Sequence, residues 1–113
     1  MTINTNTVSG LFTAGNTPFA SVSGNDISVS ASAGKDPLFV IVDLTAAAAD
    51  TKITVKDAYG KDAKVIDLKG GELNVIPVTT AGIADKDGNI NLYIASYANA
   101  KIAALVYTPV INY

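Results

Sequence analysis

Leu38–Leu44 (LFVIVDL) is apolar at every position except Asp43. A strand with one wet face alternates apolar and polar residues, because successive side chains point to opposite faces. This stretch does not alternate, so it is expected to be a central strand covered on both sides. Pro37 stands just before it, where a missing N–H harms a ladder least. Asp43 falls where the strand emerges and is expected to cap the turn into Thr45, since a carboxylate left buried without a partner is costly. Thr45–Asp50 (TAAAAD) follows and is the one helix-compatible stretch. Isolated helices shorter than about 12 residues are marginal, so a loop with a helical turn is expected.

Further strands extend in both directions. Lys52–Asp57 (KITVKD) alternates cleanly, with Ile53 and Val55 inward and Lys52, Thr54 and Lys56 outward. Ala58–Asp62 (AYGKD) reads as a turn around Gly60, followed by a short strand at Ala63–Leu68 and a turn at Lys69-Gly70-Gly71. Glu72–Val78 (ELNVIPV) holds Pro77, which cannot donate to a ladder, so this strand lies at an edge or ends there. Ile90–Ala95 puts Ile90, Leu92 and Ile94 on one face, and Lys101–Tyr107 closes the series. Before the quoted stretch, Ile27–Ala33 (ISVSASA) alternates with Ser. Strands without intervening helices exclude a parallel βαβ sheet. The expected fold is all-β: an antiparallel immunoglobulin-like β-sandwich of about seven strands over residues 25–113. Its centre is expected at Phe39, Ile41, Ile53, Val55, Leu92, Ile94, Ile102 and Val106. Residues 1–24 are rich in Thr, Ser, Asn and Gly, with scattered Val8, Leu11, Phe12 and Phe19. Two readings stand for them: an arm that orders against a partner through Leu11, Phe12 and Phe19, or the first strand of the domain.

Composition narrows the chemistry. The 113 residues contain no Cys, His, Trp or Arg; eight Lys face ten acidic residues, for a net charge of −2. Without Cys and His there is no Cys/His zinc site and no Ser–His–Asp triad. Without Arg there is no bidentate fork for phosphate or guanine, and a mildly acidic chain suits nucleic acid poorly. No apolar run approaches the ~20 residues that cross a bilayer as a helix. Residues 1–10 (MTINTNTVSG) are polar and free of Lys, so no secretory signal is expected there.

Three constellations invite a functional reading. Asp85-Lys86-Asp87-Gly88-Asn89 resembles the opening of a calcium loop, but such a loop needs another oxygen ligand before its Gly and a Glu six residues after it; position 94 is Ile. Asp-Gly is also a strong hairpin signal, so a turn between strands and no metal site is expected. Asp57, Asp62 and Asp67 could pair for acid–base work, but Lys56, Lys61 and Lys64 interleave with them, which reads as a solvated charged edge. Tyr93 should lie opposite Ile90, Leu92 and Ile94. With Tyr97 it is a candidate partner-binding residue, because exposed Tyr is common at interfaces and sugar-binding faces.

Lys52–Gly60, Gly71–Val78, Asp87–Ile94 and Lys101–Tyr107 follow one another in a pattern: a "TVTVKxxxG" strand, a "GELxxxxV" strand, a "kDGxixlxi" hairpin and a final "kvAalxy" strand. The run from Lys35 to Tyr107, about two-thirds of the chain, thereby resembles the small Ig-like head proteins of tailed bacteriophages. The resemblance implies a non-enzymatic capsid decoration protein, made in the host cytoplasm and carried on the virion. Its partner would be the outer surface of the major capsid protein, with no cofactor, no nucleic acid and no membrane. Such proteins occur as trimers and as monomers, so self-association stays open. The rival expectation is a carbohydrate- or receptor-binding β-sandwich module using Tyr93, Tyr97 or Tyr59.

Overall fold

Val, Ile and Thr recur through the alternating stretches, and their branched side chains favour extended backbone. In the computed structural model, which describes residues 1–9, 19–30, 38–47, 49–79 and 82–108, they form nine strands. These are β1 (Thr2–Ser9), β2 (Ala20–Ser21), β3 (Asp26–Ser30), β4 (Leu38–Asp43), β5 (Thr51–Lys56), β6 (Asp62–Leu68), β7 (Leu73–Val78), β8 (Asn89–Ile94) and β9 (Lys101–Thr108). No helix occurs among the described residues. The stretch Thr45–Asp50 begins as a turn, with Ala47 N–H donating to Leu44 C=O at 2.9 Å.

The strands form one mixed sheet in the order β6-β5-β8-β3-β1-β9-β4-β7, with β2 also paired to β9. The sheet wraps round its core as a nearly closed barrel. Its two edges, β6 and β7, are consecutive in the chain and joined by the turn at 69–72. That turn is stitched to the end of β4: Gly71 N–H donates to the carbonyls of Leu44 (2.8 Å) and Ala47 (2.9 Å), and Leu44 N–H donates to Glu72 C=O (3.0 Å). Gly71 sits at φ +79°, a left-handed conformation that side chains disfavour.

The arrangement is not purely antiparallel. β1 runs parallel to both of its neighbours: Thr2–Asn4 pair with Ser28–Ser30 of β3, and Thr5–Ser9 pair with Ala104–Thr108 of β9. All other pairings are antiparallel. Hairpin logic applied to residues 27–107 alone had no place for a parallel pair, because the N-terminal segment creates both of them.

The core draws on every strand from β3 to β9 and on Ile3 of β1. Val29, Leu38, Val40, Val42, Ile53, Ile90, Ile94 and Ile102 are fully buried in it. Burying a side chain of this size contributes roughly 1.5–3 kcal/mol. The expected centre needs one correction, in β4. Leu38, Val40, Val42 and Leu44 face the core, whereas Phe39 is only half-buried and Ile41, though buried, lies outside the core cluster. An unbroken apolar run carries no alternation to mark its inner face. Register decides it: Val40 stands between Ala104 of β9 and Ile76 of β7, both of them core residues.

Two outcomes follow from the placement of β1. Removing residues 2–9 should abolish the cooperative thermal transition, because the segment lies between β3 and β9; a truncated chain with an unchanged melting temperature would show that β1 is dispensable. Thr5 stands where β1 passes from one neighbour to the other, and its buried Oγ1 has no hydrogen-bond partner. Replacing a hydroxyl that lost its water by a methyl of similar size should therefore raise stability by about 1 kcal/mol in Thr5→Val, read in a urea titration.

Candidate functional site

Two loops at one end of the barrel share a construction. In each, an Asp opens the loop and a Gly stands three residues later at positive φ: Asp57 with Gly60 (+81°) and Asp85 with Gly88 (+79°). The hydrogen bonds repeat. Asp57 Oδ1 accepts from Tyr59 N–H (2.8 Å) and Lys61 N–H (3.0 Å), while Asp57 N–H donates to Lys61 C=O (2.7 Å). Asp85 Oδ1 accepts from Asp87 N–H (2.9 Å) and Asn89 N–H (3.0 Å), and Asp85 N–H donates to Asn89 C=O (2.9 Å). Asp favours such turns because its short carboxylate reaches backbone donors two to four residues on. The loops are linked by Ala58 N–H donating to Gly82 C=O at 3.2 Å. Tyr59, at the tip of the first, is 90% exposed.

The carboxylate of Asp85 is therefore already committed to backbone donors, and its Oδ2 accepts from Asn91 Nδ2 (3.1 Å). The turn reading of Asp85–Asn89 holds, but the hairpin does not: β8 pairs with β3 and β5, not with the preceding β7. Asp57, Asp62 and Asp67 do not converge. Asp57 caps its loop, Asp62 pairs with Lys56, and Asp67 faces Lys52 at 3.6 Å with both side chains largely exposed. Among the described residues, no group of three or more acidic residues is placed to hold a metal ion. Asp43 caps the turn after β4 as expected, accepting from Thr45 N–H (2.9 Å) and Oγ1 (2.6 Å).

The outer face of β5, β8 and β3 carries the aromatic candidate. Thr54, Tyr93 and Asp26 lie side by side across it. Tyr93 is 40% exposed, and the Lys56 ammonium stands 5.9 Å from its ring centroid, within range of a cation–π attraction. Tyr97 lies elsewhere, half-buried against the core in the turn before β9. Phe19 is half-buried just ahead of β2. Leu11 and Phe12 lie outside the described residues. Tyr93, Tyr97 and Phe19 thus stand on three different elements and share no surface that the structure marks out.

Sequence reasoning missed Leu73 and Val75, which are 44% and 58% exposed on β7. Alternation puts Leu73, Val75 and Pro77 on one face and Asn74, Ile76 and Val78 on the other, but both faces hold apolar residues, so the sequence does not mark which is the outer one.

The chain matches no protein-family model, no curated protein and no solved structure.

The capping carboxylates set an acid limit. Backbone and side-chain hydrogen bonds hold Asp43, Asp57 and Asp85 below the ordinary value of 3.8: for Asp43 mainly the Thr45 hydroxyl, for Asp57 the Lys61 N–H, for Asp85 the Asn89 N–H. A group whose pKa is depressed by folding binds fewer protons in the native state than in the unfolded one. Its contribution is complete above the unfolded value and is lost as pH falls through the lower native value. The melting temperature should therefore be insensitive to these groups at neutral pH and should drop as pH falls below about 4. Asp57→Ala and Asp85→Ala should each lower the neutral-pH plateau and flatten that acid limb; a limb unchanged in both would mean that other carboxylates set it.

Proposed function

We propose that this chain is a non-enzymatic structural protein, an Ig-like β-sandwich of the phage capsid decoration type that binds and stabilises the outer capsid surface. One observation carries the reading. The four segments that bear the resemblance coincide with four structural units, in chain order and with β6 between the first two: β5 with its turn, the Gly71 turn with β7, the Gly88 turn with β8, and β9. The glycines required by the pattern, Gly60, Gly71 and Gly88, all adopt positive φ. Pattern and backbone conformation thus agree at positions where few other residues would fit. The sandwich reading treats β6-β5-β8-β3 and β9-β4-β7 as two facing layers, with β1 passing from one to the other.

The test is co-sedimentation with expanded capsids of a tailed phage. The protein should pellet with the shells, saturate at a fixed ratio to capsid protein and raise the temperature at which the shells rupture. Shells that neither retain the protein nor gain stability would remove the reading.

A second reading has its own support. A groove of about 360 Å³ on the outer side of the sheet is lined by Thr2, Asp26, Ser28, Lys56 and Asn91, next to Tyr93. Convergent donors and acceptors beside an aromatic ring suit a sugar. A glycan array showing binding that Tyr93→Ala abolishes would favour this reading over the capsid one.

A further inference from the structure

The two edges of the sheet differ in kind. β6 carries Asp62, Lys64 and Asp67, and its pairing with β5 is interrupted by an irregularity at Val55/Lys56. Charges and bulges are the usual devices that keep an open edge from pairing with another strand. β7 (LNVIPV) has no charged residue at all. Its outer face shows Leu73 and Val75, 44% and 58% exposed, and exposed Pro77 beside them.

The backbone of β7 is also oriented for pairing. Glu72 C=O accepts from Leu44 N–H, so the even-numbered residues of β7 turn their backbone groups toward β4. In an antiparallel pair this alternates, so Leu73, Val75 and Pro77 turn theirs to the open side. Pro77 thus sits where its missing N–H leaves the native ladder intact. Leu73 and Val75 present both an N–H and a C=O to the open side, where the described residues offer no strand partner.

We propose that β7 is a self-association edge, and that its occupant is β7 of a second copy of this chain, paired antiparallel about a two-fold axis at Val75. Val75 would exchange both backbone bonds with Val75 of the second copy. Leu73 N–H would donate to Pro77 C=O across the axis on each side. The outer row Leu73-Val75-Pro77 then meets Pro77-Val75-Leu73, apolar on apolar. An uncharged strand is what self-pairing favours, because a two-fold axis sets groups of the same kind close together and any charge near it would meet its own sign. The pairing uses up both β7 edges and leaves only the charged β6 edges outermost, so assembly closes at a dimer.

Sedimentation velocity of the full chain over a wide concentration range tests this, with no shell present. Its failure is therefore a separate result from failure of the capsid reading. The wild type should sediment at twice its 11.6 kDa chain mass. Val75→Lys and Leu73→Lys should be monomeric with unchanged circular dichroism and melting, and Val65→Lys on β6 should remain dimeric. Two β7 variants are included so that one which fails to fold leaves the other to decide. A wild type that is monomeric throughout, a dimer that survives both β7 charges, or a dimer lost only in Val65→Lys would overturn the proposal. A monomer whose capsid binding is abolished by Val75→Lys would overturn it too, and would show that β7 docks on the shell.

Discussion

The backbone pairing of β1 is the interaction on which this structure depends. Within eight residues the strand gives its first part to β3 and its second to β9. Without it the sheet order divides into β6-β5-β8-β3 on one side and β9-β4-β7 on the other. Those two halves still share a core, but among the described residues no other strand-to-strand pairing joins them. The segment that does this is rich in Thr and Asn, and Ile3 anchors it in the core cluster. Its hold comes from ladder hydrogen bonds, each worth about 1 kcal/mol net, added along the strand.

The remaining stability comes from burial, since there is no disulfide. Ion pairs add little: Lys52–Asp67 and Lys69–Asp50 are separated by 3.6 and 3.7 Å and are well exposed to solvent. The acidic side chains act mostly on the backbone instead. Asp43, Asp57 and Asp85 cap turns, and Asp50 accepts from Gly70 N–H at 2.8 Å in the turn that joins the sheet's edges. Asn74 braces the same turn, accepting from Lys69 N–H and donating to the carbonyls of Lys69 and Glu72. The loops are thus fixed by short-range polar contacts, with the first presenting Tyr59 and Gly60 to solvent and the second resting on Ile83 and Ala84, which pack against the core.

The outer surface follows from the same economy of charge. On the β5–β8–β3 side, Lys, Asp, Thr and Asn alternate with core residues, so the face is polar with Tyr93 set into it. On the β7–β4–β9 side, the positions that face away from the core cluster are apolar: Leu73 and Val75 are exposed, Phe39 is half-buried, and Ile41, Ala103 and Leu105 are buried. β4 and β9 thus carry buried residues on both faces, and the large exposed apolar side chains on this side, among the described residues, are Leu73 and Val75 of the edge strand β7.

The seven strands from β3 to β9 were legible in the sequence because alternation and turn residues are local signals. Asp43 as a cap, Gly60 as a turn and Pro77 as the mark of an edge were legible for the same reason. The inner face of β4 was not, since Leu38–Leu44 is apolar on both sides and only its register against Ala104 and Ile76 selects Val40 over Ile41. Nor was the place of β1, whose Thr and Asn alternation could suit an arm as well as a strand. Composition and spacing alone thus determined an all-β chain without Cys or His chemistry, and where most of its strands and turns fall. Tertiary structure decided which strands meet, that two of the pairings are parallel, and that Leu73 and Val75 face outward. Those are pairings between residues far apart in the chain, and a side chain's pattern records its own strand's two faces but not the neighbour that will cover either one.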